Sequence, residues 1–567
     1  MNRYILLLTL MYQVALAQIS PNLSAKLETN QKVPVLIQFK EKADLSQLNP
    51  AWSKVQKTNY LYSQLASHAS SNQTEVIAYL KDNKIEFRSF NIVNVIQAEL
   101  NKIQVETLSK FKNIALISYD SPTPAISAQD QSLSLMQRGP AITWGIQRVG
   151  ADKVWDLGYQ GQGVIVGGED TGIKWDIPAI KEKYRGFQNG NIDHNYNWHD
   201  AIHAISPLSG NPNNPCGLDL KEPCDDNSHG THTIGTMVGQ TPEQAIGMAP
   251  LAQWIGCRNM EQGNGAPSTY IECFNFFLAP TDLNDKNPKP ELAPHVINNS
   301  WYCSLEEGCD PSNYSIMEEV IENLKAAGIV VVVSAGNDGA ACNTLRHPPA
   351  IYDASFSVGA FEENNTISDF SSNGPVNNYK EVRIKPNVVA PGSNILSMLP
   401  DGTYAAWNGT SMAGPHVAGL VALMISANPL LAGQVQRIEK IIEETAERFT
   451  ADFDCFPYTG LNLPNNTYGF GLINAVAAIE KALLVVDIDQ ETKSTFELFP
   501  NPANAEIEIK HSFPNNTLIQ IKDVNGKLML QNNLKANTAK IHIEHLLPGV
   551  YFISNTNNHQ VISFIKM

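Results

Sequence analysis

The chain has 567 residues, of which 43% are hydrophobic and 17% charged, and its formal net charge is −16. That length exceeds one ordinary hydrophobic core, so we expect two to four domains. The acidic balance excludes the basic face of a nucleic-acid-binding protein, and no segment has the composition of a disordered chain.

The first 17 residues have the pattern of a secretory signal peptide. Arg3 precedes an apolar run at 4–10, and the segment ends in Ala-Leu-Ala at 15–17. The run is too short for a transmembrane helix, and no later segment reaches ~20 consecutive apolar residues. We therefore expect cleavage after Ala17, export, and no transmembrane segment.

Residues 33–120 alternate between strand-like and helix-like patterns. Strands are predicted at 33–39, 85–90, 92–100 and 114–119, and helices at 59–80 and 103–111. The resulting order, β-α-β-β-α-β, is that of the split βαβ or ferredoxin-like unit. By itself the segment would be a small binding domain, since it has no catalytic-looking cluster. A Ser-Pro-Thr-Pro stretch at 121–124 begins a linker.

From about residue 139 to 484, short apolar strands alternate with helical stretches. Strands are expected at 164–166, 254–258, 296–299, 329–334, 355–359 and 387–390. Continuous Val and Ile runs are typical of a parallel sheet that is buried on both faces. With helices such as 316–327 between the strands, the predicted fold is a doubly wound, mostly parallel α/β sheet. Asp170 and Asn337 each follow a strand directly, where sites lie in such folds.

Three segments of this region carry residue types suited to nucleophilic catalysis. An apolar strand at 164–168 runs into Asp170, the segment NSHGTHTIGT at 227–236 contains His229, and the segment NGTSMAGPHVAG at 408–419 contains Ser411. Taken alone, Ser411 would be an N-cap residue, which is commonly a serine. The three side chains are far apart in the chain, so they can meet only through the fold.

The segment at 408–419 opens an apolar run that predicts a helix buried on nearly all sides. Pro415 has no N–H group to donate, so we expect it in the first turn of this helix. Ser411 then lies at or just before the N-terminus, among unpaired N–H groups and the positive end of the helix dipole. A hydroxyl there is suited to carry or face negative charge.

The three segments, in the order Asp, His, Ser, resemble the signature motifs of the subtilisin-like serine proteases, the subtilases. The resemblance implies that Asp170 orients His229, that His229 is the general base, and that Ser411 attacks the substrate carbonyl. His229, not His232, occupies the place of the base in the family's H-G-T-H motif. The two histidines could also suggest a metal pair, but no H-E-x-x-H motif occurs. We expect no metal site and no required cofactor, and we leave structural calcium open.

The segment AGNDG at 335–339 also resembles a subtilase motif, and the resemblance implies that the side-chain amide of Asn337 is part of the oxyanion hole. Alone, an Asn near glycines would predict a turn.

The segment VINNSWYC at 296–303 resembles the family's substrate-binding strand, which pairs with a peptide by β-augmentation. Ser300, Trp301 and Tyr302, with Ala335 and Gly336, are the expected substrate-binding residues. Trp301 and Tyr302 stand where smaller residues are usual, but N-N-S-W also occurs in the bacillopeptidase F group of the family.

Residues 18–125 precede this region and resemble the family's inhibitory propeptide. The resemblance implies a segment that templates folding and blocks the active site until it is cut off. We expect the cut between residues 120 and 143.

Eight cysteines, all within the catalytic region, argue for disulfides in an exported chain. Cys216 with Cys224, and Cys303 with Cys309, are close enough to form small loops. The remaining four could pair as 257–273 and 342–455, but the sequence leaves their connectivity open. Histidines 194, 199 and 203 are expected to be solvated loop residues.

The region 496–567 follows a short linker and is predicted to be a small β-sandwich. Strands are expected at 506–510, 518–523, 527–530, 540–544 and 549–554, with a hairpin turn at Asn525-Gly526. By pattern alone it could be a carbohydrate- or surface-binding module. Through FPNPA, DVNGK and LPGVYF it resembles the C-terminal sorting domain of the type IX (Por) secretion system.

The predicted organisation is therefore a signal peptide (1–17), an inhibitory propeptide (18–125), a catalytic domain (139–484) and a sorting domain (496–567). It implies a monomeric serine endopeptidase that passes through the periplasm to the cell surface or the medium. Its partners would be protein or peptide substrates, its own propeptide and the type IX secretion machinery, but no nucleic acid. The alternative is a catalytically inert surface-binding protein with a subtilase fold.

Overall fold

A computed structural model describes the chain except for residues 1–16, 124–140, 211–212, 304–308, 486–496, 511–516, 524–526, 535–537 and 556–560. The chain divides into two units, Met1–Val485 and Val486–Met567. The predicted signal peptide, apart from Ala17, and most of the predicted cleavage linker lie outside the described residues.

The segment that precedes the linker is built on a five-stranded sheet. Its elements are β1 (Gln18–Ile19), α1 (Pro21–Leu27), β2 (Val33–Phe39), α2 (Lys54–Asn72), α3 (Thr74–Asp82), β3 (Phe87–Phe90), β4 (Val95–Leu100), α4 (Lys102–Leu108) and β5 (Ile114–Tyr119). The strand order is β1-β5-β2-β4-β3, with β2 antiparallel to both of its neighbours. We call residues 17–123 the pro-segment.

The pro-segment differs from the predicted pattern in two ways. The short elements β1 and α1 stand ahead of the predicted unit. The helix expected at 59–80 is two helices, and it starts earlier because Ser53 and Gln56 form a capping box. The break falls at Gln73, whose buried side chain bonds Asn94 and Ser89.

The rest of the first unit alternates strands with helices. Its elements are α5 (Trp144–Val149), α6 (Ala151–Asp156), β6 (Ile165–Asp170), α7 (Pro178–Lys181), β7 (Phe187–Gln188), β8 (Asn191–Ile192), β9 (Trp198–Asp200), α8 (His229–Val238), β10 (Gln253–Arg258), α9 (Pro267–Leu278), β11 (Val296–Asn299), α10 (Tyr314–Ala326), β12 (Val330–Ser334), β13 (Phe356–Phe361), β14 (Val388–Pro391), β15 (Ile395–Met398), β16 (Tyr404–Trp407), α11 (Thr410–Ala427), α12 (Val435–Thr445) and α13 (Ala475–Leu483).

Seven of these strands form a parallel sheet in the order β14-β13-β12-β11-β6-β10-β9. Alternate side chains of β12 point into different apolar cores. Val330 and Val332 belong to one core, whereas Val331 and Val333 belong to the other. The sheet is therefore covered on both faces, which confirms the predicted α/β architecture and explains the unbroken Val run.

Helix α11 lies inside the core. Among the residues that the structure describes, it is the one helix long and apolar enough to cross a bilayer, but 89% of its apolar window is buried in the protein. Its apolar character is that of a core helix.

The expectation for Pro415 is wrong, because this residue is the sixth of α11 and lies beyond the first turn. A proline there removes the N–H that would bond the carbonyl four residues earlier, which is that of Ser411. The hydroxyl of Ser300 donates to this carbonyl at 2.9 Å, so the buried oxygen is satisfied from outside the helix.

All eight cysteines are paired, as Cys216–Cys224, Cys257–Cys273, Cys303–Cys309 and Cys342–Cys455. Both short loops predicted from the sequence are present, and the pairing that the sequence left open is resolved.

The second unit consists of two antiparallel sheets. Its strands are β17 (Glu497–Phe499), β18 (Glu506–Lys510), β19 (Thr517–Asp523), β20 (Leu528–Leu534), β21 (Thr538–His542), β22 (Gly549–Asn555) and β23 (Val561–Lys566). The sheets have the orders β17-β18-β21 and β20-β19-β22-β23. They share one core, which includes Ile507 and Ile541 from the first and Ile519 and Ile553 from the second. Strands β17 and β23 were not predicted, and the Asn525-Gly526 turn lies outside the described residues.

Candidate active site

Asp170 is the last residue of β6, near the middle of the parallel sheet. Its Oδ1 accepts a bond from the backbone N–H of Thr171 at 2.8 Å and lies 2.7 Å from His229 Nδ1. Thr233, one turn into α8, donates to Asp170 Oδ2 at 3.4 Å. The strand end and the helix start are thus joined through one carboxylate.

A second carboxylate, which the sequence analysis did not single out, fixes the start of α8. Asp225 accepts bonds from Ser228 N at 2.8 Å and Thr231 N at 2.9 Å, which are among the unpaired donors of a helix start. It also accepts from the hydroxyl of Thr171 at 2.9 Å. Asp225 therefore ties the helix that carries His229 to the residue after Asp170.

Gly172 permits this junction. Its φ is +107°, and a Cβ at this position would lie 1.8 Å from the carbonyl oxygen of Cys224. Asp225 forms an isolated bridge with Gly172, and the Cys216–Cys224 disulfide lies immediately before it. Only glycine fits this approach and this backbone conformation.

His229 is buried at the N-terminus of α8. Burial lowers its pKa, but the carboxylate of Asp170 and, more weakly, that of Asp225 outweigh this, so the pKa of His229 is raised above 6.5. Its Nε2 has no hydrogen-bond partner within the described part of the chain. The imidazole is held from one side, and its other nitrogen is free to exchange a proton.

His232, the alternative base, has a different environment. Its Nε2 lies 3.1 Å from the carbonyl oxygen of Ala405, and its ring stacks on Trp407 with centroids 4.4 Å apart. Burial lowers the pKa of His232 to about 3, so it is neutral at ordinary pH. It packs and bonds as a core residue.

Ser411 is the second residue of α11, which packs against α8. Its Oγ donates to the carbonyl oxygen of Ser300 at 3.3 Å, while its own carbonyl accepts from the hydroxyl of Ser300. The bond from the Ser411 hydroxyl is long, and no hydrogen bond joins it to His229 Nε2 within the described residues.

Asn337 lies in the turn after β12. Its side-chain oxygen accepts two bonds from Thr410, from the backbone N–H at 3.0 Å and from the hydroxyl at 2.9 Å. The Thr410 hydroxyl also accepts from Gly336 N at 3.2 Å. Because both bonds engage the oxygen, the NH₂ group of Asn337 is the end left to bind an anion.

The other residues predicted to bind substrate fall into two groups. Ser300, Ala335 and Gly336 are buried backbone positions around Ser411 and Asn337. Tyr302 is half-buried and stacks on His347, whereas Trp301 is fully buried and points inward.

The indole of Trp301 is held by Glu169, a buried carboxyl that the sequence analysis missed. Glu169 Oε1 accepts from Trp301 Nε1 and from Asn259 Nδ2, both at 3.1 Å. Burial raises the pKa of Glu169 well above its usual range. The ring of Trp301 stacks on Tyr270, with centroids 3.8 Å apart and planes 6° apart.

The expectation that the three loop histidines are solvated is wrong. His194 Nδ1 lies 3.0 Å from the hydroxyl of Tyr184, and the other two histidines bond a partly buried carboxylate. His199 Nε2 and His203 Nε2 lie 2.9 and 3.0 Å from Glu272 Oε1, and Arg88 of the pro-segment lies 3.6 Å from the same carboxylate. Burial lowers the pKa of His199, but its hydrogen bonds to Asp285 and Glu272 outweigh this and raise the pKa to about 9. Within the described ranges, no cluster of His, Cys, Asp or Glu side chains is arranged to hold a metal ion.

The pro-segment packs against helices α9 and α10. Asn275 of α9 accepts the backbone N–H groups of residues 91 and 92, each at 3.0 Å, and Asn323 of α10 donates to the carbonyl of Ile92 at 2.7 Å. Asp120, just after β5, accepts from Ser268 N at 3.0 Å, at the start of α9.

The sequence of this chain matches known proteins over both units. The profile of the subtilase family matches residues 161–471, and that of the secretion system C-terminal sorting domain matches residues 497–566. Bacillopeptidase F of Bacillus subtilis (strain 168) is 34% identical over 503 residues, covering 82% of this chain. The match covers 32% of that relative, so this chain spans about a third of its length.

Two shorter relatives are matched over most of their own length. M-protease of Shouchella clausii (strain KSM-K16) is 28% identical over 394 residues, covering 68% of this chain and 84% of the relative. Subtilisin E of Bacillus subtilis (strain 168) is 27% identical over 422 residues, covering 74% and 89%. With its family profile matched over residues 161–471 of 567, and with a sorting domain at 497–566, this chain belongs to the subtilase family.

Proposed function

We propose that this chain is a secreted serine endopeptidase in which Asp170, His229 and Ser411 form the catalytic triad. The observation that carries the proposal is the 2.7 Å contact between His229 Nδ1 and Asp170 Oδ1, which leaves Nε2 of the same ring unbonded. A base oriented by a carboxylate, beside the helix that presents a serine, is the arrangement that acyl transfer needs.

In the proposed reaction, His229 Nε2 takes the hydroxyl proton of Ser411 while Oγ bonds to the carbonyl carbon of the peptide. The carbonyl oxygen becomes an anion, which the amide of Asn337 and the backbone N–H of Ser411 stabilise. His229 then gives the proton to the leaving amine as the C–N bond breaks. Water repeats the sequence on the acyl-enzyme and releases Ser411.

The pro-segment is proposed to be an inhibitory propeptide that the enzyme removes itself. Its contacts with α9 and α10 support this role. After β5, Asp120 bonds Ser268 and Thr123 forms an antiparallel bridge with Gly265, which is how an extended peptide would bind. The ferredoxin-like order of its four main strands, β5-β2-β4-β3, is consistent with a unit that docks as a body. The cut is expected between residues 120 and 143.

The sorting domain supports export to the cell surface or the medium. We propose that the leader at 1–17 delivers the chain to the periplasm and that residues 496–567 then address it to the type IX secretion system. The protein would act as a monomer on protein or peptide substrates.

Labelling with a serine-directed phosphonofluoridate tests the proposed function. The processed protein is expected to take up one equivalent of reagent at Ser411, located by peptide mass mapping, and to lose its ability to cut an unfolded protein substrate. Protection of Ser411 by a competing peptide would link labelling to the site. Failure to cut any unfolded protein, together with no label at Ser411, would favour the inert surface-binding alternative.

A further inference from the structure

The pro-segment ends, as far as it is described, in a residue that is bound like part of a substrate. Thr123 donates its backbone N–H to the carbonyl of Gly265 at 2.8 Å and accepts the N–H of Gly265 at 3.0 Å. This is an antiparallel bridge, and Thr123 is fully buried in it. Any extended peptide could make these two backbone bonds, so they do not select among substrate side chains.

The side chain of Thr123 makes a contact that can select among substrate side chains. Its Oγ1 lies 3.0 Å from the hydroxyl of Tyr270, and the Tyr270 side chain is itself buried. A Cβ at Gly265 would lie 2.4 Å from the Tyr270 hydroxyl, so a glycine is needed for the peptide and the phenol to come this close.

The position of the Tyr270 hydroxyl is set by the aromatic stack beneath it. Tyr270 lies flat on Trp301, and Trp301 is held by its bond to Glu169 in the strand that ends in Asp170. Thr123 is fully buried with its side chain against the Tyr270 hydroxyl, so a larger side chain at its position would meet these two rings.

Thr123 belongs to the proposed propeptide, residues 18–125, so it lies on the acyl side of the scissile bond. It is joined through Tyr270 and Trp301 to the segment that follows β11, where Ser300 bonds Ser411. A substrate that follows the path of the pro-segment places one of its own residues against Tyr270.

We propose that Tyr270 is a specificity-determining residue, which selects a small hydroxyl-bearing side chain, Thr or Ser, at the substrate position that Thr123 occupies. The inference rests on the proposed function and names the substrate class of the same site. A side chain without a hydroxyl would bury its apolar surface against the polar oxygen of Tyr270, and a larger one would meet the stacked rings.

The test uses the processed enzyme and a series of peptides that copy residues 118–130 of this chain. The residue at the position of Thr123 is Thr, Ser, Val or Leu in turn. Thr and Val have nearly the same shape, so their ratio isolates the hydroxyl. We expect kcat/KM to be about tenfold higher for Thr than for Val, the value of one buried hydrogen bond, with Ser close to Thr and Leu below Val.

The matched variant is Tyr270→Phe, which removes the hydroxyl and keeps the ring on Trp301. It is expected to bring the Thr-to-Val ratio to within about twofold of one. Tyr184→Phe, which removes a tyrosine hydroxyl bonded to His194 Nδ1 at 3.0 Å outside this stack, is expected to keep the wild-type ratio.

Equal rates for the Thr and Val peptides, or an unchanged ratio in Tyr270→Phe, would overturn this inference while leaving the protease assignment intact. An enzyme that labels at Ser411 but leaves the whole series uncut also counts against it. Absence of both cleavage and labelling would overturn the proposed function, and this inference with it.

Discussion

The two sides of the candidate site differ in how firmly their polar atoms are engaged. On one side, Asp170, Asp225 and Asn337 each accept two or more hydrogen bonds from the backbone or from neighbouring hydroxyls. On the other side, His229 Nε2 has no bond within the described residues, and the hydroxyl of Ser411 makes one long bond to a backbone carbonyl. The fold fixes the groups that orient and leaves the groups that would react free to change partners.

This difference separates two kinds of substitution. Removing a reacting group should abolish turnover and leave the fold in place, because few native bonds depend on it. Removing an orienting group should instead lower the stability of the fold, disturb the geometry of the site or change the basicity of His229. Its effect on the rate should be smaller than that of removing a reacting group. The following predictions begin with the greatest loss of turnover and end with the deletion that should leave the chemistry unchanged.

Ser411→Ala should have the largest effect on turnover. Without the proposed nucleophile, kcat should fall by about 10⁶-fold, the size of the loss for the catalytic serine of subtilisin. Ser426→Ala, which removes a serine bonded to the Leu423 carbonyl on the same helix, should keep near wild-type turnover. Steady-state peptide hydrolysis measures both, and full activity in Ser411→Ala would refute the assignment.

Asn337→Ala should lower turnover by less than the loss of Ser411 does. The amide would bind the anion that exists only in the transition state, so kcat should fall by about 10²–10³-fold with little change in KM, as for the equivalent amide of subtilisin. A rise in KM with kcat unchanged would mean that Asn337 binds the ground state or only shapes the turn.

The pH dependence should report the raised pKa of His229. A general base must be neutral to accept a proton, so kcat/KM should rise with pH and reach half its plateau above pH 6.5. Asp170→Asn removes the main charge that raises this pKa. The midpoint of the rise in kcat/KM should therefore move to lower pH, and the plateau value of kcat/KM should fall by about 10⁴-fold.

Asp225→Asn should move the midpoint in the same direction by a smaller amount. A midpoint that does not move in Asp170→Asn would show that a group other than His229 titrates.

Ser300→Ala should act on stability. It removes the donor to the Ser411 carbonyl that Pro415 leaves unpaired, so the free energy of unfolding should fall by about 1–3 kcal/mol. Ser334 is a matched control, because its buried hydroxyl has no partner among the described residues and its loss should be nearly neutral. Chemical denaturation of the two variants makes the comparison, and equal losses would contradict the role given to Ser300.

Deletion of residues 496–567 should have the smallest effect on the chemistry. The second unit has its own core, so the truncated enzyme should keep its activity in solution. Export should stop, with the protein retained in the periplasm. Normal secretion of the truncated protein, measured by fractionation, would show that the second unit is not needed for export and is an ordinary binding module.

The elements predicted most accurately from the sequence are those whose hydrophobic pattern follows from burial alone. Strands β2, β5 and β11 have their predicted bounds, and the parallel sheet follows from its Val and Ile runs. In contrast, the sequence misplaces Pro415 because the carbonyl that it leaves unpaired is bonded by Ser300, which lies 115 residues away in the chain and reaches this carbonyl only through the fold.

The residues that the sequence analysis missed act through side chains from distant segments. Asp225 reads as one of many loop carboxylates until its bonds to Thr171 and to the start of α8 are known. Glu169 looks like a polar interruption beside Asp170, and Tyr270 like an ordinary helix aromatic. Their surroundings, not their local patterns, give them a part in the site.

Processing of the full-length precursor tests the proposed nucleophile most directly. If Ser411 cuts the chain's own linker, wild-type protein should be recovered without residues 17–123, whereas Ser411→Ala should remain joined across the 120–143 region. Ser426→Ala should be processed like wild type. Intact-mass measurement of the three purified proteins, expressed in a host without related proteases, decides the matter. A Ser411→Ala protein cut at the wild-type position and to the wild-type extent would contradict the account.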